Sequence, residues 1–158
     1  MKSKVLTRDG GTLHVLIMET GDEVMAELTS FAKREGVRAG RMTAIGAFQS
    51  AKLAYFDWDK KAYQDIPVEE QVEVLVLAGD LAWESDKPVV HVHVVLGRRD
   101  GSTVGGHLKS AVVRPTLEVM FTEGGALERR YDPASGLALI APELTHHSRR
   151  HGFLKPRG

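Results

Sequence analysis

The 158-residue chain contains no cysteine, which excludes disulfides, thiolate metal sites and cysteine nucleophiles. It has no apolar run near the ~20 residues that cross a bilayer as a helix, so no membrane partner is expected. Met1-Lys2-Ser3-Lys4 leads into alternation rather than an apolar h-region, which predicts no signal peptide and a cytoplasmic protein. No repeat of fixed period is visible. Net charge is missing as well, since 21 basic residues balance 21 acidic ones.

That balance is uneven along the chain. Positions 144–158 hold Arg149, Arg150, Lys155 and Arg157 and no acid; taking these four from 21 leaves 17 basic against 21 acidic residues in positions 1–143. A body charge of −4 is the reverse of a nucleic-acid-binding face, where phosphate neutralisation supplies most of the affinity. Any nucleic-acid contact is expected from the four tail residues, and the simpler reading of a short basic tail is a solvated extension. His146, His147 and His151 share that polar tail and lack strand context, so they are not expected to be ligands.

Hydrophobic residues make up 42% and charged residues 27%, the composition of an ordinary soluble domain with a full-sized core. One domain is placed at 1–141 and the tail at 142–158. Glycine occurs 16 times, about 10% against a usual ~7%, which favours strands and tight turns.

Residues 12–18 read as a strand. Asp22 is the expected N-cap of a helix, with Glu23 favourable at the positive end of its dipole. Val24, Met25, Leu28, Phe31 and Ala32 follow the spacing of one buried helical face, and Gly36 supplies the stop. Strands are then expected over 41–48, 52–58, 71–78, 88–96, 103–108, 111–122, 127–131 and 137–141. The stretch 59–70 reads as a connecting loop with a short strand. In 71–78, Val72, Val74 and Val76 alternate with Glu73, Leu75 and Leu77. In 111–122, Val112, Leu117, Val119 and Phe121 are the expected core contributors. The fold class is α+β: a large, mostly antiparallel sheet with one principal helix packed on it.

The densest chemistry runs from His91 to His107. His91 and His93 lie two apart on a strand and share a face, their Cα atoms ~6.6 Å apart at a rise of ~3.3 Å per residue. Val90, Val92, Val94 and Leu96 take the opposite face as a core stripe. A three-residue turn, Arg99 to Gly101 with Gly101 left-handed, pairs Arg98 with Ser102 and brings His107 opposite His93. A two-residue turn would instead send His107 to the other face. Three neutral imidazoles on one face suit zinc, with a fourth position for water or substrate. Glu73 and Glu118 are the candidate carboxylates, each within an apolar strand where an unpaired charge is expensive. Glu73 pairing with Arg41 or Arg114 is the alternative.

With these residues in place, the sequence resembles the plant and prokaryote conserved (PPC) domain, also labelled PD1-like DNA-binding. The matching segments are Ala44-Ile45-Gly46-Ala47, Tyr55-Phe56-Asp57, Val72-Glu73-Val74-Leu75 with Gly79, His91-Val92-His93, Asp100-Gly101, Gly105-Gly106-His107-Leu108 and Thr116-Leu117-Glu118-Val119. They span about residues 10–141. The resemblance implies an antiparallel α+β fold assembled as a homotrimer. Plant members carry AT-hook segments for A·T-rich DNA; here only Lys155-Pro156-Arg157-Gly158 approaches one, so DNA binding rests on analogy. Plant members also lack the histidines, so the fold does not need them. A more distant similarity, to acetolactate decarboxylase, rests on a His-x-His strand followed by a third histidine. Two readings follow: a non-enzymatic trimeric PPC protein with structural or sensing zinc, or a small zinc lyase or hydrolase in which Glu73 or Glu118 handles protons.

Overall fold

Several stretches that read as separate strands in the sequence run together in space. The computed structural model describes residues 1–8 and 11–143. In chain order the elements are β1 (Lys2–Arg8), β2 (Gly11–Glu19), α1 (Val24–Glu35), β3 (Gly40–Asp57), β4 (Ala62–Val68), β5 (Val72–Glu84), β6 (Lys87–Gly97), β7 (Thr103–Glu123), β8 (Glu128–Asp132) and β9 (Leu137–Ala141). The expected strands 41–48 and 52–58 are one strand, β3, and 103–108 and 111–122 are one strand, β7. β1 was not expected at all, and the segment 59–70 contains β4. No helix among the described residues is long and apolar enough to cross a membrane.

The nine strands form one sheet in the order β1-β2-β7-β3-β5-β8-β9, with β4 on β3 and β6 between β5 and β7. Every pairing is antiparallel except the single β5–β8 rung, Trp83 to Glu128. Because β3 pairs β5, β5 pairs β6, β6 pairs β7 and β7 pairs β3, the ladder returns on itself. Such closure needs bends, and register shifts supply them at Ala44/Gly46 in β3 and Val74/Val76 in β5. Gly46 sits at the β3 shift: its φ is 153° and an added Cβ would lie 2.2 Å from the Thr116 carbonyl oxygen.

The β5 shift corrects the expected alternation. Val72 and Val74 are buried, but Val76 is exposed and Leu77 takes the next core position. In β7 the buried positions Ala111, Val113, Leu117, Val119 and Phe121 keep one alternation, so Val113 and not Val112 joins the core.

α1 covers the closed side through Val24, Leu28, Phe31 and Ala32, packed against β6 and β7. Its N-cap is Glu23, not Asp22: the Glu23 carboxylate accepts the Ala26 N–H at 2.7 Å and the Ala111 N–H at 3.2 Å. The shorter Asp22 side chain is held by the turn itself, accepting the Glu19 N–H and pairing with the N-terminal ammonium, both at 2.9 Å. Gly36 ends the helix in the left-handed conformation at φ 68°, as the sequence suggested. Under the helix, Phe31, Phe121 and the buried His14 meet edge to face, and His14 reaches Glu123 at 3.1 Å.

Candidate metal centre

The β6–β7 hairpin sets the site. The Arg98 N–H donates to the Ser102 carbonyl at 2.8 Å, and Gly101 turns the chain at φ 82°. Asp100 pins the turn by accepting from the Ser102 backbone and hydroxyl at 2.9 and 2.6 Å. This is the three-residue turn, and its register places His93 directly opposite His107. Val90, Val92, Val94 and Leu96 are buried on the inner face of β6. The histidines therefore share the outer face.

One ring nitrogen from each of His91, His93 and His107 falls within 4.8 Å of the others. Nε2 of His91 and Nε2 of His93 are 3.2 Å apart, and the three ring centroids are separated by 5.1, 5.3 and 5.4 Å. His93 is exposed while His91 and His107 are partly covered. Tyr63 from β4 lies against His107 with ring centroids 4.8 Å apart, so β4 screens one flank and the front stays open.

The chemistry of these donors fits a metal ion. Burial pushes the His107 imidazolium down to about 4, helped by the positive charges of His91, His93 and Lys109. His93 is lowered too, first by burial and then by His91. Neutral imidazoles are the ligating form. Nδ1 of His107 is buried and has no hydrogen-bond partner among the described residues, and such an orphan is costly unless something satisfies it. A divalent ion held by His91, His93 and His107 would suit the lowered imidazoles, and would also satisfy the orphan if His107 binds through Nδ1.

The sequence candidates for a carboxylate are elsewhere. Glu73 pairs with Gly97 at the far end of the β5–β6 ladder, whereas His93 pairs with Ala78. It is exposed beside Arg98 and Arg99 and forms no ion pair with Arg41 or Arg114. Glu118 is exposed among Ile45, Val76 and Met120. Both point outward from strands whose other face is apolar, so neither is a buried charge and neither joins the histidine group.

The carboxylate that does reach the histidines is Asp80, opposite His91 on β5, with Oδ2 3.6 Å from His91 Nδ1. Its other oxygen accepts from Arg129, a buried residue of β8. Sequence reasoning missed both. Asp80 could have been found by extending the 71–78 strand through Glu84 and pairing it with 88–96; nothing local signals Arg129. The tail residues Arg149, Arg150, Lys155 and Arg157, with His146, His147 and His151, lie outside the described residues.

The outer face carries a second feature. Ile45, Val76, Val95 and Met120 are 61%, 44%, 38% and 44% exposed on β3, β5, β6 and β7. Val76 pairs with Val95 across β5 and β6, and Thr43 with Met120 across β3 and β7. Val95 follows His93 by two positions, so this apolar stripe borders the histidines.

Comparison with known proteins agrees with this architecture. The model of the Plants and Prokaryotes Conserved (PCC) domain matches residues 6–124, and the chain belongs to that family. A metal-containing protein from Archaeoglobus fulgidus is 34% identical, with a TM-score of 0.77 over 89% of this chain and 96% of that one. A protein from Bacteroides thetaiotaomicron, whose description provisionally names DNA binding, is 27% identical, with a TM-score of 0.83 over 90% of this chain and 99% of that one. Among curated sequences, the bifunctional protein GlmU of Synechococcus sp. (strain JA-3-3Ab) is 31% identical over 134 residues. That match covers 80% of this chain but 20% of GlmU, so the chain spans about a fifth of the relative's length.

Proposed function

We propose that this PCC-domain protein is a zinc-binding homotrimer whose ion is held by His91, His93 and His107. The observation that carries the reading is the convergence of three imidazole nitrogens within 4.8 Å on an open sheet face. Three histidines with no further protein ligand match the zinc sites that keep a position for an exchangeable group. The metal-containing Archaeoglobus relative is consistent with this, as are the lowered His93 and His107 imidazoles. The apolar stripe through Ile45, Val76, Val95 and Met120 supports self-association, because contiguous exposed apolar surface marks interfaces.

The open front favours a second reading, a small zinc-dependent lyase or hydrolase. A bound zinc ion supplies Lewis acidity, polarising a carbonyl or acidifying a water. The chain's own part is to hold three imidazoles on paired strands and to screen one flank with Tyr63. Glu73 and Glu118 are too far along their strands to pass protons there, so in this reading proton handling falls to Asp80 or to solvent. Nucleic-acid association, named for the Bacteroides relative, has no net positive charge behind it in residues 1–143, which sum to −4, and would depend on Arg149, Arg150, Lys155 and Arg157.

The test is elemental analysis of purified protein beside the variant with His91, His93 and His107 all changed to alanine. Wild type is expected to carry about one zinc per chain and the variant none, with the fold intact by circular dichroism. Equal metal content in both would overturn the assignment.

A further inference from the structure

Metal-ligating histidines usually donate their second ring N–H to a carboxylate or carbonyl, which fixes the tautomer and the ring orientation. One of the three imidazoles here faces a carboxylate placed for that role, just beyond hydrogen-bond distance. His91 turns Nε2 toward His93, at 3.2 Å, and Nδ1 toward Asp80 Oδ2, at 3.6 Å. A proton on Nδ1 faces the carboxylate favourably and leaves the Nε2 lone pair aimed at the centre of the histidine group. The opposite tautomer would set a lone pair against a carboxylate and a proton against the ligand position.

Asp80 is itself held in place. The antiparallel register puts it opposite His91 on one side and Arg41 on the other. Arg129 donates to its Oδ1 and uses its second amino group to donate to the Ala138 carbonyl at 3.0 Å. The Arg129 side chain is only 5% exposed, and a buried guanidinium is stable only when paired. The β8–β9 hairpin, joined to β5 through the single parallel rung between Trp83 and Glu128, thus delivers a cation that turns one carboxylate oxygen away from solvent and leaves the other for His91.

We infer that Asp80, oriented by Arg129, is a positioning residue that selects the Nδ1–H tautomer of His91 and so presents its Nε2 to the metal. The inference rests on the zinc reading above. It also assigns the β8–β9 hairpin a role in metal affinity, although neither strand contributes a ligand.

Asp80→Asn is the direct probe, because Arg129 claims the amide oxygen and leaves the NH₂ facing His91 Nδ1, which inverts the preferred tautomer. Asp80→Ala combined with Arg129→Met removes carboxylate and cation together, so it leaves no unpaired buried charge if the single variant fails to fold. Zinc affinity measured by chelator competition is expected to fall by about 10–100-fold in both, the usual effect of losing an outer-shell partner. Nitrogen-15 imidazole spectra of the metal-free protein are expected to show His91 as Nδ1–H in wild type and as Nε2–H in Asp80→Asn, a change that a merely structural role would not produce. Folded variants with wild-type zinc affinity, or a wild-type His91 carrying its proton on Nε2, would overturn the inference. A wild-type protein that binds no zinc would sink the functional reading instead, while the tautomer spectra would still decide the role of Asp80.

Discussion

Gly79→Ala tests whether the sheet backbone and the histidine group stand or fall together. Gly79 lies on β5 opposite Val92 of β6 and Met42 of β3. An added Cβ would sit 2.3 Å from the His91 carbonyl oxygen, and 2.9 Å from both Cα and Cγ2 of Val92. Carbon contacts settle at about 3.5–4.0 Å, so β5 and β6 must part by roughly 1 Å. Overpacking of this kind costs about 1–3 kcal/mol. The stiffer unfolded chain offsets only about 0.4–1 kcal/mol of it. A net loss of about 1–2 kcal/mol lowers Tm by about 2–8 °C in a domain of this size. The same movement carries His91 and His93 away from Asp80 and toward His107, whereas metal–ligand distances tolerate only about 0.2 Å. Zinc affinity should therefore drop about tenfold or more. Gly125→Ala is the control, because its Cβ meets nothing within 4 Å. Calorimetry and chelator competition on both variants measure the two effects. If Gly79→Ala melts with Gly125→Ala and keeps wild-type zinc affinity, the coupling between rung and site is wrong.

Phe121→Ala removes a fully buried ring that meets Phe31 at 5.5 Å; a loss of about 3–5 kcal/mol is expected by chemical denaturation, with zinc content per folded chain unchanged. In metal-free protein, His107 is held down to about 4 from 6.5 when folded, so between those values the unfolded chain binds the extra proton. Stability is then fully present above about 6.5 and declines as pH falls toward about 4. Thermal melts across that window in chelator should slope less for His107→Leu, and parallel slopes would refute the assignment. Ile45→Glu adds a second charge beside Glu118 in the exposed stripe, and light scattering should then read a monomer in place of the proposed homotrimer, with zinc content per chain unchanged.

The hairpin around the histidines was legible because its determinants are local. Asp100, Gly101 and the spacing of three histidines fix a register that needs no knowledge of the rest of the sheet. The helix was legible for the same reason, through the period of Val24, Leu28, Phe31 and Ala32, and only its cap was misplaced because Asp22 and Glu23 are both competent acceptors. What failed was whatever depended on the sheet closing. The bulge in β5 moves Val76 outward and Leu77 inward, and no residue there advertises a break in alternation, whereas Val112 was out of phase with Leu117, Val119 and Phe121, whose spacing points to Val113. Glu73 and Glu118 drew attention as charges within apolar strands, yet each simply occupies the solvent side. Asp80 and Arg129 were invisible because their meeting is 49 residues apart in sequence and depends on one parallel rung.

All three histidines fall within a single hairpin, residues 91 to 107, on strands that are already neighbours. A metal ion there closes no long loop, so by the entropic account of cross-links it restrains the unfolded chain little. The ion is then not what holds the sheet together, and its loss should leave the topology standing. For the proposed site, the ligand set is complete within residues 91–107, and the Asp80–Arg129 pair adds a restraint from outside that hairpin.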